Sequence, residues 1–438
     1  MNAPRGANPL LLVFLTVLLL SILSLFNDHF ARLNPEIRPV ELLADVVRPA
    51  APAPAPVARR ASPPPAADST RHELASFLEA LRQTRQRGTK TRIAYFGDSM
   101  IEGDLITGEL RHRLQLAFGG QGVGFVPIES VAAGFRQTIY ETSSEDWTAY
   151  NLVSPRIPAA HPLGLAGHVF IPQATGASWV RYVASPRIQE LRRFAKVRLF
   201  YGPGHGQDKL VLEMGARQVA TPLAGTALLN QAVVQADSGT RDIKATFNCR
   251  GARSVYGFSF EGAAGVTLDN FSFRGNSGLG LRRVSPAMLA AFAQYQDYRL
   301  IVLHYGANVA DRRLTNYHGY EQAMVRVVGH LREAFPQASI LIIGMSDKSI
   351  RQAGRYVTDP SVPLLLAAQQ RLASRTHAGF WNLYEAMGGE NSMPTWVEAQ
   401  PALANRDYTH VTQAGGRKIG SLLYAYLMQQ YAAAARAR

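Results

Sequence analysis

Residues Ile93-Ala94-Tyr95-Phe96-Gly97-Asp98-Ser99-Met100-Ile101-Glu102-Gly103-Asp104 constrain the fold more than any other stretch of this 438-residue chain. Positions 93–96 are apolar and rich in β-formers, the texture of a central parallel strand buried on both faces. Gly97 and Asp98 break the run, and a small nucleophile, Ser99, follows at once. Asp104 is placed to cap a helix that starts near Leu105. A serine there sits at the carboxyl end of a strand, where open α/β sheets hold their ligands. Gly, Asp and Ser are also turn formers, so this stretch by itself leaves a plain turn as open as a nucleophile site.

The rest of the chain decides between them. A helical spacing over 72–86 ends at Gly88, the strand at 92–97 follows, and a helix is expected over 104–117. Strand-like and helical segments alternate again after residue 265, with strands at 266–273, 299–305, 338–344 and 379–383. The helices lie at 286–294, 319–334, 364–376 and 412–432. Five strands with right-handed helical crossovers make a three-layer α/β/α parallel sheet. Between 128 and 262 helical periodicity disappears. Short β-type runs recur at 168–172, 179–183, 197–201, 209–214, 243–248 and 254–260, separated by turn residues, as in a β-sandwich that interrupts the α/β domain and forms its own module. The glycine-rich loop 119–124 follows a helix instead of a strand, which argues against a phosphate cradle.

Residues 10–26 are almost uninterruptedly apolar, close to the length that crosses a bilayer, with Arg5 before them. No small-x-small cleavage site follows directly, so an uncleaved anchor is expected over a signal peptide. Positions 48–67 form a Pro/Ala-rich spacer that, at about 3.1 Å per residue, reaches roughly 60 Å. Arg59 and Arg60 within it read as a solvated pair. The catalytic part is then expected outside the cytoplasm, held at the inner membrane and facing the periplasm of a Gram-negative cell. The net charge of +14 suits an anionic surface or an acidic polymer. Without zinc-ligand spacing, a P-loop or an RNA-binding aromatic motif, nucleic acid is the weakest partner. The single cysteine, Cys249, excludes an internal disulfide. No metal or cofactor pattern is present, and none is expected.

Two further blocks complete the pattern. Tyr305-Gly306-Ala307-Asn308 closes the apolar run at 300–303, and Asp407-Tyr408-Thr409-His410 precedes the last helix. In order and in strand-end placement these blocks resemble the SGNH/GDSL hydrolase superfamily. The resemblance implies a flavodoxin-like strand order, 2-1-3-4-5, which the spacing does not show. A serine hydroxyl needs a base within reach, and His410, oriented by Asp407, is the candidate. The resemblance also implies three oxyanion donors: the Ser99 N–H, the Asn308 side-chain amide and a glycine N–H within Arg274-Gly275-Asn276-Ser277-Gly278. Gly278 is the expected glycine, with Gly275 as the alternative. Met100 and Val309 depart mildly from the family pattern.

Residues 387–393 with Trp396, the stretch 122–127 and the β-type insertion narrow the resemblance to the bacterial cell-wall O-acetylesterase branch. That branch removes O-acetyl groups from peptidoglycan or other surface polysaccharides, and the insertion resembles a carbohydrate-binding module. The expected organisation is an anchor over 1–30, a linker over 48–67, the hydrolase domain over 68–127 and 263–438, and the β-rich insertion over 128–262 beside the mouth of the site. The leading expectation is a serine esterase that removes O-acetyl groups from a cell-envelope polysaccharide through an acyl-serine intermediate. An O-acetyltransferase of the same fold, working with a multi-spanning acyltransferase partner, is the alternative. A glycan-binding protein with a decayed hydrolase domain is opposed by the intact Ser99, Asn308, Asp407 and His410. A lipase is opposed by the lack of an apolar lid. Trp147, Trp179 and Trp396 are candidates for stacking on sugar rings, although packing is the commoner role of such residues.

Overall fold

The structure is a computed structural model that describes residues 67–173, 178–185, 195–204, 206–236 and 240–436. The apolar segment 10–26, the pair Arg59–Arg60 and all of the linker 48–67 except its last residue lie outside the described residues. Among those described, no helix is long and apolar enough to cross a membrane.

Five strands form the central sheet: β1 (Lys90–Gly97), β2 (Gly265–Ser272), β3 (Tyr298–His304), β4 (Ser339–Ile343) and β5 (Gly379–Trp381). All neighbours are parallel and the spatial order is 2-1-3-4-5. The alternation of side chains along β1 divides the core. Ile93 and Tyr95 join Val302 and Leu341 beneath the helices Ala75–Arg87, Thr107–Phe118 and Gln413–Arg436. Ala94 and Phe96 join Leu303 and Ile342 beneath Pro286–Tyr295 and His318–Ala334. Both faces are covered, so β1 carries apolar residues without polar alternation, and each fully buried large one contributes about 1.5–3 kcal/mol. Gly88 ends the first of these helices as expected, in a left-handed conformation with its N–H on Thr84 O at 3.0 Å.

The helix expected over 104–117 begins later. Ser99–Asp104 is a kinked 3-10 turn and the α-helix runs Thr107–Phe118. Asp104 does not cap it. Its own φ is +61°, and its carboxylate is buried among partners described below.

The intervening region forms two antiparallel sheets. One contains Trp147–Asn151, His168–Pro172, Lys196–Tyr201, Asn230–Gln235 and Val255–Glu261. The other contains Ile139–Ser143, Ser178–Ala184, Lys209–Met214, Arg217–Pro222 and Asp242–Asn248. Phe258, Tyr182, Phe247 and their apolar neighbours fill the space between. Two features differ from expectation. β structure starts at Gly124–Val126, ahead of residue 128, because that strand pairs with Val255–Glu261. The region is also not a module apart: Phe125, Phe200 and Tyr256 belong to the same apolar core as Phe271 and Phe292 of the α/β domain.

Both joins lie at the amino end of β2, not at the carboxyl end where the serine sits. There the loop 119–124 runs against bare backbone. A Cβ on Gly120 would stand 2.4 Å from Val266 O, and one on Gly122 would stand 2.2 Å from Phe260 O. Those glycines make a seam, for which only a hydrogen is small enough. Two of the three tryptophans singled out above are packing residues. Trp396 is 3% exposed and donates to Met387 O at 2.9 Å, and Trp147 packs edge-on against Phe247. Trp179 is half-buried with the Lys244 ammonium over its ring.

Candidate active site

β1 delivers Ser99 to the carboxyl edge of the sheet. Asp98 closes the turn by accepting the Met100 N–H at 3.0 Å, which points the Ser99 side chain away from the strand. Ser99 Oγ lies 2.9 Å from His410 Nε2, and His410 Nδ1 lies 2.8 Å from Asp407 Oδ2. Asp407 can only accept when ionised, so Nδ1 carries the hydrogen and Nε2 is left to accept from the serine hydroxyl. Burial raises the Asp407 carboxyl, but the N–H groups of His410 and Thr409 and the imidazole outweigh it and hold it below the usual carboxylate range.

The loop that carries this pair is braced. Tyr408 takes φ +54° and stacks on Tyr356 with ring centroids 3.5 Å apart, and its carbonyl accepts the Ser349 N–H. Tyr356 and Ser349 belong to a hairpin, Ser349–Gln352 and Arg355–Thr358, that sequence reading missed. Its strands are only four residues long, too short for a periodicity signal.

Asn308 reaches the same edge. Its Nδ2 donates to Asp98 Oδ2 at 3.0 Å and lies 3.4 Å from Asn276 O. The loop after β2 is pinned beside it, since Phe273 N–H donates to Gly97 O at 3.0 Å. Within that loop the two candidate glycines differ in their surroundings. The Gly278 N–H is buried and already donates to Asn276 Oδ1 at 2.9 Å. Gly275 is exposed, with φ +75° and open space around it. Asp98 is a second residue that sequence reading undervalued, as a mere strand breaker. It is 1% exposed and orients the Asn308 amide; burial pushes its carboxyl up to about 6 against the opposing pull of the Met100 N–H and that amide.

No family model matches the sequence, and no curated protein matches it. Among solved structures it is similar to a peptidoglycan O-acetylesterase, with TM-score 0.67, 22% identity, and coverage of 82% of this chain and 96% of that one. An acetyl xylan esterase (TM-score 0.27, 14% identity, 36% of this chain and 80% of that one) and a family two carbohydrate esterase from Cellvibrio japonicus (TM-score 0.27, 8% identity, 66% and 99%) align far more loosely. The chain has an SGNH/GDSL hydrolase fold.

Two further features lie near the turn that carries Ser99. Five residues along the same turn, Asp104 is fully buried and saturated. It is paired with Arg111 at 3.1 Å and Arg136 at 2.8 Å, and accepts from Thr107 and Asn270, each at 2.8 Å, and from Thr138. Burial alone would raise this carboxyl, but the two guanidinium groups hold it well below the usual range. A cavity of about 500 Å³ opens between the α/β domain and the inserted sheets. Glu102, Phe273 and Arg274 line it from one side, and Asn151, His168 and Phe170 from the other. Among the described residues no group of three or more His, Cys, Asp or Glu is placed to hold a metal ion.

Proposed function

We propose that this protein is a serine O-acetylesterase that deacetylates a cell-envelope polysaccharide. The observation that carries the reading is the continuous relay from Ser99 through His410 to Asp407, with separations of 2.9 and 2.8 Å. Ser99 Oγ attacks the acetyl carbonyl while His410 Nε2 takes its proton, and Asp407 stabilises the imidazolium that forms. The Ser99 N–H, the Asn308 amide hydrogen turned away from Asp98 and the Gly275 N–H receive the oxyanion. Collapse breaks the bond to the sugar oxygen, which leaves with the proton from His410. Water then enters, loses a proton to His410, and releases acetate from the acyl-serine. The likeness to a peptidoglycan O-acetylesterase supports a polymeric substrate of that class.

Water is favoured over a sugar as acceptor because the His410 and Asp407 side chains are 42% and 49% exposed, so solvent reaches the relay directly. In this reading the inserted sheets bind the glycan chain, and the apolar segment 10–26 tethers the catalytic part outside the cytoplasm. The deciding experiment incubates the full chain with O-acetylated peptidoglycan, acetylated xylan and p-nitrophenyl acetate, with and without an acceptor glycan. Acetate release without acceptor, absent in Ser99→Ala, is expected. Acetyl transfer that requires the acceptor would make the protein a transferase. A reporter fused after residue 438 tests the location, and activity confined to the cytoplasm would refute it.

A further inference from the structure

Arg274 is clamped by a buried acid on the turn that carries Ser99. Its Nε donates to both carboxylate oxygens of Glu102, at 3.0 and 3.2 Å, and its Nη2 donates to one of them at 2.6 Å. Glu102 is 3% exposed and, among the described residues, pairs with no other cation, whereas the Arg274 side chain is 61% exposed. The Nε/Nη2 edge of the guanidinium is thus clamped by a buried acid, which leaves the Nη1/Nη2 end of an exposed side chain for another partner. Glu102 stands three residues after Ser99 on the same kinked turn. Glu102 and Arg274 line the 500 Å³ cavity, and Arg274 directly precedes Gly275 in the loop after β2.

Here only the acid is buried, and what it achieves is orientation. A planar fork held in one direction matches a carboxylate in two parallel hydrogen bonds with little ordering left to do. The other charged residues that line the cavity have partners of their own. Arg136 is tied to Asp104, Glu102 is matched by Arg274 itself, and Glu129 accepts from Ser143. Burial holds His168 down at about 4, so it is neutral.

We infer that Arg274 is the reader of an acidic sugar: the carboxylate of the acetylated polysaccharide docks on the Nη1/Nη2 end of the Arg274 guanidinium and brings the ester to Ser99. This rests on the esterase reading above and narrows its substrate to polymers with a carboxylate close to the acetyl group.

The test compares kcat/KM of the full chain on O-acetylated peptidoglycan strands stripped of peptide, which carry free carboxylates, with the same strands after amidation of those groups. A charge-assisted fork predicts a preference for the acidic form of roughly ten- to a hundred-fold. It should appear mainly in KM and shrink with added salt. Arg274→Gln should bring the ratio close to one. Arg274→Lys keeps a charge opposite Glu102 but loses the fork, so it should retain a few-fold preference, and it serves if Arg274→Gln fails to fold. Glu102→Gln, which releases the clamp, should also reduce the ratio. Brisk turnover of both forms by the wild type with a ratio near one would overturn the assignment and leave the esterase reading standing. So would a ratio unchanged in Arg274→Gln. A wild type that cleaves neither glycan nor p-nitrophenyl acetate would instead remove the esterase reading, and the acidic-sugar assignment with it.

Discussion

Ser99 and Asp104 open and close one short turn, yet they sit in opposite kinds of polar environment. Ser99 begins a chain of single hydrogen bonds, one to His410 and one on to Asp407, whose outer members are nearly half exposed. Asp104 sits at the centre of a buried cluster in which Arg111, Arg136, Thr107, Thr138 and Asn270 all turn toward one carboxylate. The first arrangement is open because protons and water must pass through it. The second is closed because it joins the turn to the strand β2 through Asn270 and to the inserted region through Arg136 and Thr138. A buried charge is tolerated only when every lone pair is matched, and removing a partner leaves the others stranded in a medium that cannot solvate them. The relay can therefore be cut without unfolding the protein, and the cluster cannot.

Four experiments break or sharpen that contrast. The largest effect is expected from Ser99→Ala or His410→Ala, each lowering kcat on p-nitrophenyl acetate on the order of 10⁴-fold or more, with thermal unfolding essentially unmoved. A loss of stability comparable to the loss of activity would erase the distinction between the two regions. Asp104→Ala should do the reverse. Stranding Arg111 and Arg136 is expected to destabilise the fold by about 3–5 kcal/mol, read by denaturant unfolding, while the molecules that remain folded keep their kcat. Between the extremes, Asn308→Ala removes one oxyanion donor and should lower kcat by roughly 10²–10³-fold with little change in KM.

The smallest effect concerns pH. His304 is fully buried against Tyr95 OH, and burial pushes its imidazole down from 6.5 to about 4. The native state therefore leaves it neutral where the unfolded chain would protonate it. Its stabilising share is intact above pH 6.5 and is lost as pH falls from there toward 4. Asp98 and Glu141 act in the opposite sense, since burial raises them to about 6 and about 7. His304→Phe isolates the first contribution: between pH 7 and pH 4.5 the variant should lose less stability than the wild type, by on the order of 2 kcal/mol. Equal losses in the two proteins would show that His304 takes up its proton alike in the folded and unfolded chains.

Much of this was written locally in the chain. The run 93–96, the break at Gly97 and Asp98, and the serine after it specify a buried strand that ends on a nucleophile, because burial on both faces demands an apolar run and a tight turn demands small residues. The blocks at Asn308 and at Asp407 and His410 were legible for the same reason, as each is a short segment at a strand or helix end. Residues 128–262 announced themselves as β-rich through composition. What the sequence did not determine is which polar groups meet. Asp104 has the look of a helix cap, and only the fold brings Arg136 and Asn270 to it, from 32 and 166 positions away. Gly275 and Gly278 are alike on paper, and only the fold engages the Gly278 N–H with Asn276 while it leaves Gly275 exposed. Trp147 and Trp396 became core residues, and the inserted sheets merged with the α/β core, because apolar surface is buried against whatever the topology brings near it. Local periodicity records what a residue needs from its surroundings; the tertiary structure decides which distant partner supplies it.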